Sequence, residues 1–237
     1  MHWWVGTSGF SYDEWKGCFY PEDLSAKDRL TYYASKLPAV EINNTFYRMP
    51  KASLLEGWAE QVPERFRFVL KASQKITHFK RLKADAADET AYLLKTAAVL
   101  GARLGPILFQ LPPNMKKDVE RLDGFLAFLP EGTRAAFEFR HESWADEEVA
   151  ARLAARNLAL CIADVDEEPE PDIRRTADWG YLRLRRTSYV EEDLARWRAK
   201  VEAAGWNDAY VFFKHEDEGT GPKLGMRFLE IAGVSGG

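Results

Sequence analysis

FEFR, at residues 137–140, sets Phe137 and Phe139 on one side of an extended chain and Glu138 and Arg140 on the other. The same device recurs in VEIN at 40–43, FVLK at 68–71, LRLRR at 182–186 and YVFFK at 210–214. Each is an apolar strand-like run that ends on charged or strongly polar side chains. A charged face inside a buried strand costs free energy unless its groups pair with one another or meet a ligand. Several such strands closing into one barrel would gather these groups at a single polar mouth.

Working outward from these segments, eight apolar runs bounded by turn signals lie near 3–8, 39–43, 66–72, 106–111, 135–140, 158–164, 180–185 and 209–214. Helical patterns separate most of them. Residues 25–37 begin with Ser25 and Asp28 in capping-box positions. Further helices are predicted over 51–61, over 86–100 with Gly101 as a stop, and over 117–129. Others run from Ser143 and Asp146 to Asn157, over 190–204 before Gly205, and over 222–233. The sixth connection breaks the rhythm. VDEEPEPDIRRTAD, at 165–178, reads as an exposed connector, with a lid over the site as the sharper alternative. Strand–helix alternation implies parallel strands and right-handed crossovers. The expected fold is therefore α/β: a single (β/α)8 TIM-like barrel over 1–237, with an irregular loop in place of a full sixth helix. An open doubly wound sheet competes, but GTSGFSY at 6–12 lacks the third glycine of a dinucleotide fingerprint.

The 237 residues are 46% hydrophobic and 30% charged, which suits one globular domain with a sizeable core. A net charge of −4 argues against a broadly basic, nucleic-acid-coating surface, while leaving room for a local basic patch. Cys18 and Cys161 have no metal-type spacing, and a reduced, cytoplasmic setting is expected. MHWWVGTSGF lacks the basic and apolar regions of a signal peptide, and no apolar run reaches membrane-spanning length.

GTSGFSYDEWKGCFYP at 6–21, VEINNTFYRMP at 40–50 and LGPILFQLPP at 104–113 resemble segments of the bacterial YecE-like family, domain of unknown function seventy-two. FEFRHESW at 137–144 and YLRLRR at 181–186 are similar to further family segments. The resemblance spans nearly the whole chain and implies a TIM barrel. It brings no settled activity. Likeness of that barrel to the endonuclease-IV and sugar-isomerase group suggests nucleic-acid or sugar-phosphate binding by fold analogy alone. Two departures stand at the expected mouth. Arg185 and Arg186 replace a His-Gly pair after the seventh strand, and Lys214 and His215 stand where the family usually has asparagines after the eighth.

Alternation places Glu41, Asn43, Lys71, Gln110, Glu138, Arg140, Asp164, Arg183, Arg185 and Lys214 inside the mouth. Five bases against three acids make the mouth basic in an acidic protein, which points to a phosphorylated or otherwise anionic ligand. A self-neutralising ion-pair network is the structural alternative. Glu41 and Glu138, with Asp164, are candidates for acid/base work if their environments separate their pKa values. Lys71 reads first as a charge partner of the nearby acids, with an imine-forming amine the alternative. The GTSGFS loop, with Ser8 and Ser11, could cradle an anion on its backbone. No cofactor motif is present. His78, His141 and His215 follow strands, so a divalent metal with Glu138 and Asp164 is an alternative, without HxH or HExxH spacing. Tyr12, Trp15, Phe19, Tyr20, Phe46 and Tyr47 follow the first two strands, either stacking on a sugar or base or plugging the barrel. Two further functions follow: a non-catalytic nucleic-acid or nucleotide binding protein, and a metal-dependent phosphodiesterase.

Overall fold

In the computed structural model, residues 1–215 and 217–234 are described. Eight parallel strands close into a barrel in sequence order. They are β1 His2–Ser8, β2 Ala39–Ile42, β3 Arg67–Lys71, β4 Leu104–Gln110, β5 Ala135–Glu138, β6 Ala159–Asp164, β7 Trp179–Leu184 and β8 Asp208–Phe213. β1 closes the ring on β8, with His2 opposite Asp208 and Thr7 opposite Phe213. The barrel is encircled by α1 Arg29–Ala34, α2 Asn44–Tyr47, α3 Ala52–Ala59, α4 Ala87–Ala97, α5 Val119–Leu126, α6 Glu147–Ala154, α7 Glu191–Ala203 and α8 Thr220–Ile231. Residues 165–178 form the expected irregular connection. Glu170 fastens it to α7 through Arg196 at 2.8 Å and Lys200 at 2.6 Å.

The strands divide the core in two. Ala39, Val69, Leu108, Ala136, Cys161, Tyr181, Tyr210 and Phe212 fill the barrel, whereas Phe68, Phe109, Phe137, Leu182 and Phe213 pack outward against the helices. Each large apolar side chain fully buried this way stabilises the fold by roughly 1.5–3 kcal/mol. Small residues let neighbouring strands and bulky rings coexist. A Cβ on Gly6 would lie 1.9 Å from the Ala39 carbonyl oxygen across the β1–β2 contact.

Helix ends depart from expectation where a different cap forms. Ser25 and Asp28 make no capping box. The Ser25 hydroxyl donates to the Asp28 carboxylate at 2.6 Å, and a 3-10 turn at Ala26–Asp28 precedes a shorter α1. Ser143 lies in a separate 3-10 turn, and Asp146 caps α6 by accepting the Glu148 N–H at 2.8 Å. α4 does not stop at Gly101. It passes into a 3-10 segment, Ala98–Arg103, that bends at Gly101 with φ of 55°. After β3 the chain makes one π-helical turn, Lys75–Phe79, which carries His78.

Candidate functional site

The C-terminal ends of β1, β2, β4, β5 and β7 meet around one buried arginine. The Arg183 side chain is 2% exposed and bridges two carboxylates, donating to Glu41 at 2.9 Å and to Glu138 at 2.7 Å. Glu41 also accepts from the Ser8 hydroxyl at 2.6 Å and the Tyr181 hydroxyl at 2.6 Å. Glu138 accepts from the Gln110 amide at 2.8 Å to each oxygen, and from Arg140 Nε at 3.2 Å. Burial pushes the Glu138 carboxyl up, but Arg183 and Arg140, with the Gln110 and Arg183 hydrogen bonds, outweigh it and hold it at about 2. Held this low by its cationic neighbours, Glu138 is suited to anchoring charge rather than to donating a proton near neutral pH.

A second ring of cations surrounds this triad with far less compensation. Arg140 is one-third exposed and makes the single contact to Glu138. Arg185 approaches Glu138 only to 3.8 Å, and its buried Nε has no hydrogen-bond partner among the described residues. Burial and Arg183 lower the Arg185 pKa, Glu138 opposes this, and Arg140 adds to it. The guanidinium remains charged, so the shift measures how poorly that charge is satisfied. Lys71, 9% exposed, has its ammonium 4.3 Å from the Phe46 ring centroid and, among the described residues, no carboxylate within ion-pair distance. Burial, then Arg183, push its pKa down to about 8; Glu41 and Glu138 pull it up, and Arg140 pushes it down again. His78 packs edge-on against Phe46, ring centroids 4.9 Å apart. Its pKa is lowered by burial and by Lys71, Arg140 and Arg81.

Eight of the ten residues placed in the mouth by alternation meet there, counting Asn43, whose amide reaches the Ser8 carbonyl at 3.5 Å. Asp164 does not. It faces the helix layer, accepting from Arg186 Nε at 2.6 Å, the Tyr189 hydroxyl at 2.9 Å and Trp197 Nε1 of α7 at 3.1 Å. The reason is parity: Asp164 shares the outer face with Leu160 and Ile162, and the small Ala159, Cys161 and Ala163 turn inward. Lys214, just past β8, is exposed. The expected count of five bases against three acids becomes four cations, Lys71, Arg140, Arg183 and Arg185, around Glu41 and Glu138.

The remaining candidates divide. Ser8 ends β1 and serves Glu41 through its side chain. Trp15, Phe19 and Tyr20 are buried in the outer core, Phe19 and Tyr20 against Tyr32 and Tyr33 of α1, rather than plugging the barrel, whereas Tyr47 is 71% exposed. His141 Nδ1 accepts the Ser143 N–H, and His215 Nε2 meets the Arg186 carbonyl at 2.6 Å. Among the described residues no three His, Cys, Asp or Glu side chains converge as metal ligands. Cys161 faces the barrel interior, where burial raises its thiol pKa. Tyr181, which like Ser8 donates to Glu41, was missed as a site residue, although it shares the Arg183 face by strand periodicity. Also missed was a cavity of about 520 Å³ at the opposite, N-terminal end of the barrel, lined by Trp4, Arg67, Arg134, Asp208 and Tyr210. Arg134 is paired with Asp208 there at 2.9 Å, and Arg67 stacks 4.5 Å over Trp4. In barrels of this kind reactive groups occupy the other end. Among the described residues no helix is long and apolar enough to cross a membrane.

Comparison with known proteins agrees with the barrel and its motifs. Residues 4–236 match the family model described as protein of unknown function DUF72. The UPF0759 protein YunF of Bacillus subtilis (strain 168) is 24% identical, over 91% of this chain and 90% of its own length. The UPF0759 protein YecE of Escherichia coli (strain K12) is 32% identical over 47% of this chain and 41% of its own. The crystal structure of a DUF72 family protein from Thermotoga maritima MSB8 superposes with a TM-score of 0.85 at 26% identity, covering 98% of this chain and all of that one. A DUF72 family protein from Enterococcus faecalis V583, at 19% identity and a TM-score of 0.83, shares the fold.

Proposed function

Because this chain belongs to the DUF72 family, a barrel family defined without an activity, its chemistry is to be read from its own mouth, and we propose that the mouth binds a phosphorylated or otherwise anionic small molecule. One observation carries this reading. Lys71, Arg140 and Arg185 crowd around a carboxylate, Glu138, that Arg183 and Gln110 already occupy. The surplus positive charge is partly desolvated and aimed by strands, and an arginine fork suits a bidentate oxyanion. Arg183 spends both terminal nitrogens on Glu41 and Glu138, which leaves the outer cations, Arg140 and Arg185, as the first choice for the ligand; its buried Nε has no partner among the described residues.

Thermal shift with inorganic phosphate and with a sugar phosphate tests the reading, since binding to the native state raises the melting temperature. Arg140→Ala and Arg185→Ala are expected to weaken binding by roughly tenfold or more each, the scale of a hydrogen bond to a charged group. Their unliganded melting temperatures should change little for Arg140. A phosphate-induced shift that survives both substitutions would overturn the reading.

A second reading rests on Tyr47 and Phe79, 71% and 69% exposed, which follow β2 and β3; Tyr47 packs on Phe46, the ring under the Lys71 ammonium. Such rings can stack on bases, so a nucleotide or single strand is the alternative ligand. Tighter binding of a short oligonucleotide than of phosphate, lost in Tyr47→Ala and steeply salt-dependent, would favour it.

A further inference from the structure

We propose that Lys71 is an amine nucleophile that forms an imine with a small aldehyde or ketone bearing a phosphate or carboxylate. The proposal rests on the anion-binding reading for its substrate class but not for its nucleophile. The first observation is placement. Lys71 is the last residue of β3, inside the barrel at its C-terminal end, where reacting groups of this architecture lie. The second is the lack of a partner. The two carboxylates of the mouth, Glu41 and Glu138, spend their contacts on Arg183, Ser8, Tyr181, Gln110 and Arg140. The lysine is left against the face of Phe46.

A lysine so placed is not a charge partner, the role its neighbouring acids suggested from sequence. Desolvation and neighbouring cations are the two means by which an amine is made available near neutral pH. Both are present. Arg183 of β7 and Arg140 beyond β5 press against the charged form, while Glu41 of β2 and Glu138 of β5 only partly offset them. A lysine with a pKa of about 8 is roughly one-tenth neutral at pH 7, against well under one-thousandth for an ordinary one. His78, packed against the same Phe46 ring, is kept toward its neutral form by burial and by Lys71 itself, so it adds no fixed positive charge beside the amine.

The step balances without an oxidant or reductant. The Lys71 amine donates its lone pair to the carbonyl carbon, forming C–N as the C=O π electrons move to oxygen. The oxygen takes a proton, matching the one lost from nitrogen. The carbinolamine then expels water as the C=N bond forms. Arg140 and Arg185 would hold the substrate's phosphate or carboxylate, which places the carbonyl over Lys71 and leaves that amine free of the anion.

The test uses the intact protein with glyceraldehyde 3-phosphate, pyruvate and uncharged glyceraldehyde, each with borohydride to reduce any imine, followed by peptide mapping by mass spectrometry. The expected result is one adduct, at Lys71, forming at a rate that rises with pH through a midpoint near 8. The phosphorylated aldehyde should react at least tenfold faster than glyceraldehyde, and pyruvate tells whether a carboxylate serves as well. Lys71→Arg and Lys71→Met, checked for folding by their melting curves, should lose the adduct. Labelling of Lys71 no faster than of the exposed Lys214 would overturn the proposal even if phosphate still raises the melting temperature, which would leave the anion reading intact. Selective labelling of Lys71 at equal rates by charged and uncharged aldehydes, indifferent to Arg140→Ala, would uphold the nucleophile and remove the anion reading.

Discussion

Arg183 and Lys71 are both buried cations at the mouth, and they have opposite consequences for stability. Removing Arg183 leaves Glu41 with no cation within ion-pair distance among the described residues and strips Glu138 of its shortest one, and breaking a buried pair this way costs roughly 3–5 kcal/mol. Arg183→Ala is therefore expected to lower the urea midpoint sharply or to prevent folding, whereas Arg140→Ala, at a third-exposed site, should cost less than about 1 kcal/mol. Lys71 runs the other way. Its folded-state pKa, about 8, lies below its ordinary value of 10.5, so the native state is the worse proton binder. Below pH 8 the full cost of burying the ammonium is present, and it is relieved as pH rises from 8 to 10.5. Lys71→Met should stabilise the protein at pH 7, on the order of 1–3 kcal/mol, and this advantage should vanish above pH 10.5, as denaturant titrations at the two pH values would show. A residue that weakens the fold where it stands is the kind that function retains.

At the scale of strands, the tightest constraint is the approach of β1 to β2. The Ala39 carbonyl that would collide with a Cβ on Gly6 also accepts the Tyr33 hydroxyl of α1 at 3.0 Å, and the same hydroxyl accepts the Thr7 N–H at 2.8 Å. Gly6→Ala must push these apart, and a loss of more than about 2 kcal/mol is expected in chemical denaturation. How much of the molecule was legible follows from the same geometry. All eight strands and their parallel order were readable because each is an apolar run ending in polar residues, and period-two alternation then put Glu41, Lys71, Gln110, Glu138, Arg140, Arg183 and Arg185 on one side. Asp164 escaped because its neighbours on the barrel side are Ala159, Cys161 and Ala163, small residues that look less like a core than Leu160 and Ile162 do. Which charges pair and which stay unpaired was not readable at all, because it depends on ångström distances between strands far apart in sequence, as Arg183 and Glu41 are, 142 residues apart. Tyr181 could have been found, since it sits two residues before Arg183; its partner could not.

For the whole molecule, a net charge of −4 surrounds a mouth with twice as many cations as carboxylates. Glu138 ties that mouth to global stability. Its folded-state pKa of about 2 lies below its ordinary 4.5, so its contribution is complete above pH 4.5 and is lost as pH falls through 2. Unfolding free energy should decline across that window, and Glu138→Gln should show a shallower acid dependence with a lower plateau at pH 7. An acid profile in Glu138→Gln identical to that of the unsubstituted protein would contradict the assignment. The central triad also bears on biosynthesis. Glu41 and Glu138 leave the ribosome long before Arg183, which arrives three-quarters of the way along the chain, and β1 gains its second neighbour only when β8 is made. From the synthesis of Glu41 until that of Arg183 the nascent chain carries an acid of the barrel interior without its arginine, and the first strand keeps one open edge until β8 is made. Closure before then would bury that acid unpaired, so completion of the ring is expected to follow the synthesis of β7 and β8.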